Sequence, residues 1–187
     1  MKKILLLVCL IFCSCISDDT IEVSKYPIIT TIKEITDVYD INLDLSGKSE
    51  TCSVHKYFDG SVELEYTYDL IETDRYSPLY YSITISKERS VREAKKAYQL
   101  TNGAYNIVTS SFGQGTEEVK NINLPGDDSF YAIRTYDGEP NGVLLTIRDG
   151  KFIYNLITSG IYTEDHSLVK EVILPEIENL KRFAIVE

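Results

Sequence analysis

The fold class follows from a stretch that runs from residue 52 to residue 71 and reads CSVHKYFDGSVELEYTYDLI. A two-residue turn signal, Asp59-Gly60, divides it, and both residues tolerate the positive φ angles of a tight hairpin. After the turn, apolar and polar side chains alternate with a period of two, which is typical of a strand with one buried and one wet face. The apolar set is Val62, Leu64, Tyr66, Tyr68 and Leu70. The stretch therefore predicts an antiparallel hairpin.

Similar strand patterns recur along the rest of the chain. We predict strands over 79–85, 118–123, 130–136, 142–148 and 151–159. Turns are predicted at 139–142 and 149–150, where glycine, proline, asparagine and aspartate cluster. Nearer the N-terminus, Ile41, Leu43 and Leu45 alternate with polar residues and predict another strand. Residues 30–39 fit either a helix or a strand, and we favour a short helix.

Two long helices are predicted to bracket these strands. The first begins with the capping-box spacing of Ser90 and Glu93. Its apolar stripe recurs every three or four residues as far as Phe112, and Gly113 is placed to end it. The second helix covers 167–183 and is kinked or restarted by Pro175. The pattern predicts an α+β fold, in which an antiparallel β-sheet is packed with two long helices in an α/β/α sandwich.

The N-terminus has the pattern of an export signal. A short basic start precedes an apolar run over 4–12, which is too short to span a bilayer but has the length of a signal h-region. The run ends in Phe12-Cys13-Ser14-Cys15, which resembles a bacterial lipobox, with a small residue before the cysteine that receives the lipid. The resemblance implies a signal peptide over 1–14, an acylated N-terminus and polar tether over 15–25, and a single α+β domain over 26–187.

This resemblance implies a location in the bacterial cell envelope. Acyl chains such as palmitate on Cys15 would anchor the protein, and we expect the outer membrane as its site. Ser17-Asp18-Asp19 resembles the acidic tether that sends some lipoproteins to the outer surface. The formal net charge of −10 argues against nucleic acid as a partner, because phosphates require a basic face. Only Cys52 remains in the domain, so we expect it to be a small hydrophobic residue of a strand.

The C-terminal half contains a recognisable order of elements. A basic turn, 148–151, leads into the aromatic strand 152–156, the small-residue break 158–160 and a helix that ends with Leu180-Lys181-Arg182-Phe183. This order, over residues 61–183, resembles PsbP-like domains, which include small bacterial lipoproteins, and Tyr26-Pro27 resembles their aromatic-proline start. The resemblance implies an α/β/α sandwich that binds a partner without catalysing a reaction.

Motifs for metal binding and catalysis are weak. His55 and His166 stand far apart and outside any zinc spacing, so no metal is expected. Gly113-Gln114-Gly115 lacks the third glycine of a dinucleotide fingerprint, so no cofactor is expected. Asp127 and Asp128 lie in an oxygen-rich loop without the alternating acids of a calcium loop. Their carboxylates nevertheless support an alternative function, an envelope hydrolase that uses these acidic loop residues.

Two features indicate a binding surface. The chain has 14 tyrosines and no tryptophan, and Tyr80 lies opposite the apolar face of its predicted strand. A basic island at the start of the first long helix is either a solvated helix face or a patch for an anionic partner. We therefore predict a lipid-anchored envelope module that is not an enzyme and binds a protein or a small ligand. The candidate binding residues are Tyr80, Lys87, Arg89, Arg92, Lys95 and Lys96.

Overall fold

The computed structural model describes residues 15–20, 22–39, 48–70, 80–111, 114–178 and 180. Its strands are β1 (Cys15–Thr20), β2 (Lys48–Tyr57), β3 (Val62–Leu70), β4 (Tyr80–Lys87), β5 (Gln114–Glu118), β6 (Asp128–Tyr136), β7 (Glu139–Asp149) and β8 (Phe152–Ser159). Its helices are α1 (Ile32–Tyr39), α2 (Val91–Ser111) and α3 (Leu174–Ile177), with a 3-10 turn over Val23–Lys25 and a π-helical segment over Leu168–Ile173. The predicted signal peptide and the predicted strand over 41–45 lie outside the described residues.

The eight described strands form one sheet in the order β1-β2-β3-β4-β8-β7-β6-β5. Every neighbouring pair is antiparallel, which confirms the predicted α+β class with an antiparallel sheet. Four antiparallel steps separate β4 from β5, so these two strands run in the same direction. Strands that run in the same direction need a crossover connection, and α2 provides it.

One face of the sheet, the first face, carries the hydrophobic core. Side chains in register alternate between faces along each strand, and one buried row crosses six strands: Cys52, Tyr66, Ile83, Leu156, Leu145 and Tyr131. The segment around α1 is joined to this face by two hydrogen bonds. The Ile32 amide donates to Tyr66 Oη over 3.2 Å, and Tyr81 Oη donates to the Thr30 carbonyl over 2.8 Å. Buried residues of the C-terminal segment, among them Leu168 and Ile173, complete the same core.

The opposite side, the second face, is divided into two parts. α2 lies against β5, β7 and β8, where it buries Ala94 completely and Tyr105 in part. Burial raises the pKa of the Tyr105 hydroxyl to about 12. Beside α2, strands β2, β3 and β4 present serine, threonine, histidine and glutamate side chains on this face. None of the described helices packs on β2, β3 and β4 in the way that α2 packs on β5, β7 and β8.

The helical prediction is right for the first long helix and wrong for the second. α2 begins as predicted, with the Glu93 amide donating to Ser90 Oγ over 3.2 Å. Of the segment predicted as a helix over 167–183, the described residues form a six-residue π-helical segment followed by the four-residue α3. Pro175 lies in the first turn of α3, which continues directly from the π-helical segment. In the part of the chain that the structure describes, the sheet is therefore packed by one long helix and not by two. The short helix predicted within 30–39 is confirmed as α1.

The hairpin over 52–71 is confirmed, with Lys56 paired to Val62 and Gly60 at φ +85°. The turn predicted at 139–142 lies instead at Asp137-Gly138, where both residues have positive φ. β7 begins at Glu139 and includes Pro140, and its bulge at Asn141 lies opposite the step from Arg134 to Thr135. The strand predicted over 118–123 forms earlier, over Gln114–Glu118. Residues 15–20, expected to belong to a tether, form the edge strand β1.

Candidate functional site

Asp127 and Asp128, the two carboxylates of the hydrolase alternative, both bind the buried guanidinium of Arg148. Nε of Arg148 donates to Asp128 Oδ2 over 2.7 Å, and Nη1 donates to Asp127 Oδ2 over 2.9 Å. The Gly150 amide donates to the same Asp127 oxygen over 3.0 Å, and the Asp127 amide donates to the Arg148 carbonyl over 2.8 Å. The two acids therefore close the loop before β6 onto the end of β7.

Gly126 makes this close approach possible. It has φ +93°, and a Cβ at this position would lie 2.7 Å from the Arg148 carbonyl oxygen. Burial lowers the pKa of Arg148, but the hydrogen bonds and charges of Asp128 and Asp127 outweigh it and raise the net pKa above the ordinary value. The contacts thus give both acids a structural task, which is to neutralise a cation beneath α2.

A second polar cluster lies on the part of the second face formed by β2, β3 and β4. His55 Nε2 is 3.0 Å from Ser53 Oγ and 3.5 Å from Glu65 Oε2. In a Ser-His-acid triad the acid binds Nδ1 and the nucleophile binds Nε2. Here both neighbours approach the same nitrogen, so the geometry is not that of a triad. We call the set Ser53, His55, Tyr57, Glu63, Glu65 and Glu88 the polar sheet face.

The carboxylates of the polar sheet face lie in an unfavourable environment for negative charge. Burial, together with the charge of Glu65, raises the pKa of Glu63, while His55 and the hydrogen bond from Tyr57 Oη at 3.4 Å act in the opposite direction. Burial also raises the pKa of Glu88, and nearby acids add to that shift. Carboxylates that are held close together at a cost to the fold are typical of functional surfaces. In the sequence, the feature that points to this cluster is the set of polar residues, Glu63 and Glu65 among them, that alternate with the apolar residues of β3.

The second histidine has a structural environment. His166 Nδ1 lies 3.1 Å from Tyr131 Oη, and the two rings pack edge to face with centroids 5.5 Å apart. His55 and His166 belong to opposite faces of the sheet, and the structure does not bring them together. Among the described residues, no group of three or more histidine, cysteine, aspartate or glutamate side chains has the geometry of a metal site.

The predicted basic island lies on the surface at the start of α2. Lys87, Arg92, Lys95 and Lys96 are exposed, and Arg92, Lys95 and Lys96 have no ion-pair partner among the described residues. Arg89 is bound to Glu93 one helical turn later, so its charge is matched. Lys87 Nζ lies 5.8 Å from the centre of the Phe152 ring. Apart from Tyr80, the structure therefore brings the candidate binding residues together.

Tyr80 is separate from the basic island. It pairs with Ser159 at the opposite end of β4 and is half-buried on the second face. Its neighbours there include Tyr105 and Arg134, since all three groups interact electrostatically. Burial lowers the pKa of Arg134. The structure therefore assigns Tyr80 to the edge of the α2–sheet interface.

The predicted lipidation residue, Cys15, is the first residue of β1. Its backbone is in register with Tyr57 at the end of β2. Cys52, by contrast, is a free cysteine in the core, as predicted, with 3% of its surface exposed. Within the described residues, no helix is both long and apolar enough to cross a membrane.

Comparisons with known proteins do not assign this chain to a family. No protein-family model, curated protein or solved structure matches the chain. The site is therefore defined by the geometry of its own residues: the clamp on Arg148, the polar sheet face and the basic start of α2. Sequence reasoning missed the first two: the clamp depends on the β6–β7 register, which the misplaced turn at 139–142 obscured, and the polar residues of the predicted 52–71 hairpin indicate only a solvated face.

Proposed function

We propose that this protein is a lipid-anchored lipoprotein of the bacterial envelope that binds a partner and does not catalyse a reaction. The anchor rests on the lipobox-like Phe12-Cys13-Ser14-Cys15. We propose the outer membrane as its location. The resemblance to PsbP-like domains supports the binding function, because it implies a domain that binds a partner.

The observation that carries the binding function is the polar sheet face. Glu63 and Glu65 lie on the same face of β3, opposite His55 and Ser53 of β2. Burial and mutual repulsion make the charged form of Glu63 unfavourable, so the cluster weakens the fold unless a partner neutralises it. A cationic ligand or a basic segment of a protein would supply that charge. The face is therefore proposed as the partner surface.

The anchor is tested by replacing Cys15 with serine in the full chain and fractionating cells. We expect the wild-type chain in the membrane fraction with an acyl mass increment on Cys15, and the Cys15→Ser chain without that increment. The matched control is Cys13→Ser, which leaves Cys15 in place. An acylated Cys15→Ser chain would refute the assignment of the lipid to this residue.

The binding surface is tested by hydrogen exchange of the full chain in detergent, with tetralysine as the cationic probe. We expect protection to increase in β2 and β3 around His55 and Glu65, and the effect to be lost in the double variant Glu63→Gln/Glu65→Gln. The control is Glu117→Gln/Glu118→Gln, a pair of acids on the edge strand β5. Equal protection at all acidic segments would show that the probe responds to net charge alone.

A further inference from the structure

One end of the sheet, which we call the anchor end, contains Cys15 and a row of residues in register. Ser17 pairs with Lys56, Lys56 with Val62, Val62 with Lys87, and Lys87 with Phe152. The β2–β3 turn, the β7–β8 turn and the start of α2 all emerge at this end. Because neighbouring strands lie about 4.8 Å apart, β1 and β4 are separated by only about 14 Å.

The anchor end exposes apolar side chains that the rest of the fold does not cover. Phe58, at the tip of the β2–β3 turn, is 71% exposed, and Val91, at the start of α2, is 50% exposed. An aromatic side chain at the tip of a hairpin is suited to insertion among lipid headgroups, because its body is apolar and the turn around it is polar. These residues lie at the end where the acyl chains would begin.

Positive charge is concentrated at the same end. Lys87, Arg92 and Lys151 are exposed there, and Lys95 and Lys96 follow on the next turn of α2. The acids at this end are Asp59, Glu88, Glu93, Asp127 and Asp149; Glu93 is matched by Arg89 and Asp127 by Arg148. The remaining cations outnumber the remaining acids in a chain whose formal net charge is −10. An anionic surface is the partner that this distribution favours.

No flexible linker separates the proposed lipid from the sheet, because Cys15 itself belongs to the paired strand β1. Cys15 itself is paired with Tyr57, so an acyl chain on Cys15 would hold the end of β2 at the bilayer surface. From this position the nearest side chains, Lys56 and Phe58, must meet the headgroups. A tether of ten residues, as expected from the sequence, would have allowed the domain to stand away from the membrane.

We infer that the anchor end docks on a bilayer with anionic headgroups, with Phe58 inserted and with Lys87, Arg92 and Lys151 against the headgroups. The inference rests on the proposed lipid anchor at Cys15. In this orientation the strands run away from the membrane, and the polar sheet face is not covered by the bilayer. The hairpin at Asp137-Gly138 then lies at the far end, about 30 Å from the anchor end by the length of β7.

The test uses the full, acylated chain in vesicles with a fluorophore at one introduced cysteine. Asp59→Cys, which keeps Phe58, reports on the anchor end and Glu139→Cys on the far end, and both positions are exposed. The native Cys52 is buried and stays unlabelled. Quenching is measured with phosphatidylcholine that carries a nitroxide near its headgroup, in vesicles with and without phosphatidylglycerol. Flotation of the same samples measures anchoring.

We expect strong quenching at position 59 and none at position 139, with quenching at 59 increased by phosphatidylglycerol. The triple variant Lys87→Glu/Arg92→Glu/Lys151→Glu should lose that increase, whereas Lys33→Glu on α1 should keep it. Chains that float but show equal, weak quenching at both positions would overturn the docking and leave the anchor standing. Chains that do not float would overturn the anchor, and the docking with it.

Discussion

Arg148 and Asp128 form an ion pair in which Nη2 of the arginine lies 2.6 Å from Oδ2 of the aspartate. The Arg148 side chain is only 7% exposed, whereas the carboxylates of Asp128 and Asp127 are 33% and 52% exposed. A buried cation is tolerated because two partly solvated acids surround it. The pair thereby joins the loop before β6 and the start of β6 to the end of β7.

Replacing Arg148 with methionine should lower the free energy of unfolding by about 3 kcal/mol, the low end for removal of one partner of a buried ion pair. The low end applies because water can solvate the two freed carboxylates. Urea unfolding followed by circular dichroism measures the loss. The control is Arg89→Met, which breaks an exposed pair with Glu93 and should leave the midpoint unchanged. Equal effects of the two substitutions would show that the clamp on Arg148 is not structural.

The limits of sequence reasoning are visible at this clamp. Alternation in 52–71 predicted β2 and β3, because a period of two depends only on near neighbours and a two-residue turn fixes the register. Asp128 and Arg148, by contrast, are 20 residues apart, and their contact depends on the β6–β7 register. The misplaced turn at 139–142 would have shifted that register. Asp127 and Asp128 therefore suggested a site, although their partner is a buried arginine.

The C-terminal segment shows a second limit. Apolar residues such as Leu168, Ile173 and Ile177 recur in a helical pattern, and all three are buried as a helix face would be. The pattern indicates which side chains are buried, but it does not distinguish a π-helical segment from an α-helix. The same holds for residues 15–20, where a polar composition suggested a tether and edge pairing with β2 produced a strand.

Replacing Glu63 with glutamine should stabilise the fold at neutral pH. Burial raises the pKa of Glu63 in the folded state above its unfolded value, so the folded state binds the proton more tightly. Stability therefore falls as the pH rises from the unfolded pKa through the folded pKa, and the ionised form remains destabilising above that range. Glutamine removes this penalty and keeps an acceptor for Tyr57 Oη.

The check for Glu63 is a pair of unfolding curves, one at neutral pH and one at acid pH where the carboxyl is protonated in both states. The advantage of Glu63→Gln should be present in the first and absent in the second. The matched control is Glu117→Gln, which makes the same change in net charge at an exposed position on β5. A variant that is less stable than wild type at neutral pH would contradict the assigned shift.

Cys52 should be unreactive in the folded protein. Burial, with a smaller contribution from Glu50, raises the pKa of its thiol to about 11, so very little thiolate exists at neutral pH. Iodoacetamide should therefore modify Cys52 only at the rate of unfolding, as followed by mass spectrometry in increasing urea. A chain with Phe58→Cys should react at the new, exposed position without urea. Rapid modification of Cys52 in the native chain would contradict its burial.

Two buried tyrosines should respond in opposite ways to loss of the hydroxyl. Tyr81 Oη donates to the Thr30 carbonyl over 2.8 Å and fixes the segment before α1 to the sheet. Tyr81→Phe leaves that carbonyl buried without its donor and should cost about 1–2 kcal/mol of unfolding free energy. Tyr154 Oη is also buried on the first face, but it has no hydrogen-bond partner among the described residues.

Tyr154→Phe should therefore be neutral or stabilising, because it removes a buried polar group whose desolvation no protein contact offsets. The two variants remove the same atom from the same face, so packing is matched and only the hydrogen bond differs. Thermal unfolding of both, beside the wild type, gives the comparison. If Tyr154→Phe were as destabilising as Tyr81→Phe, its hydroxyl would have a partner in solution. Tyr154→Phe would then no longer serve as the unbonded reference that assigns the cost of Tyr81→Phe to the bond with Thr30.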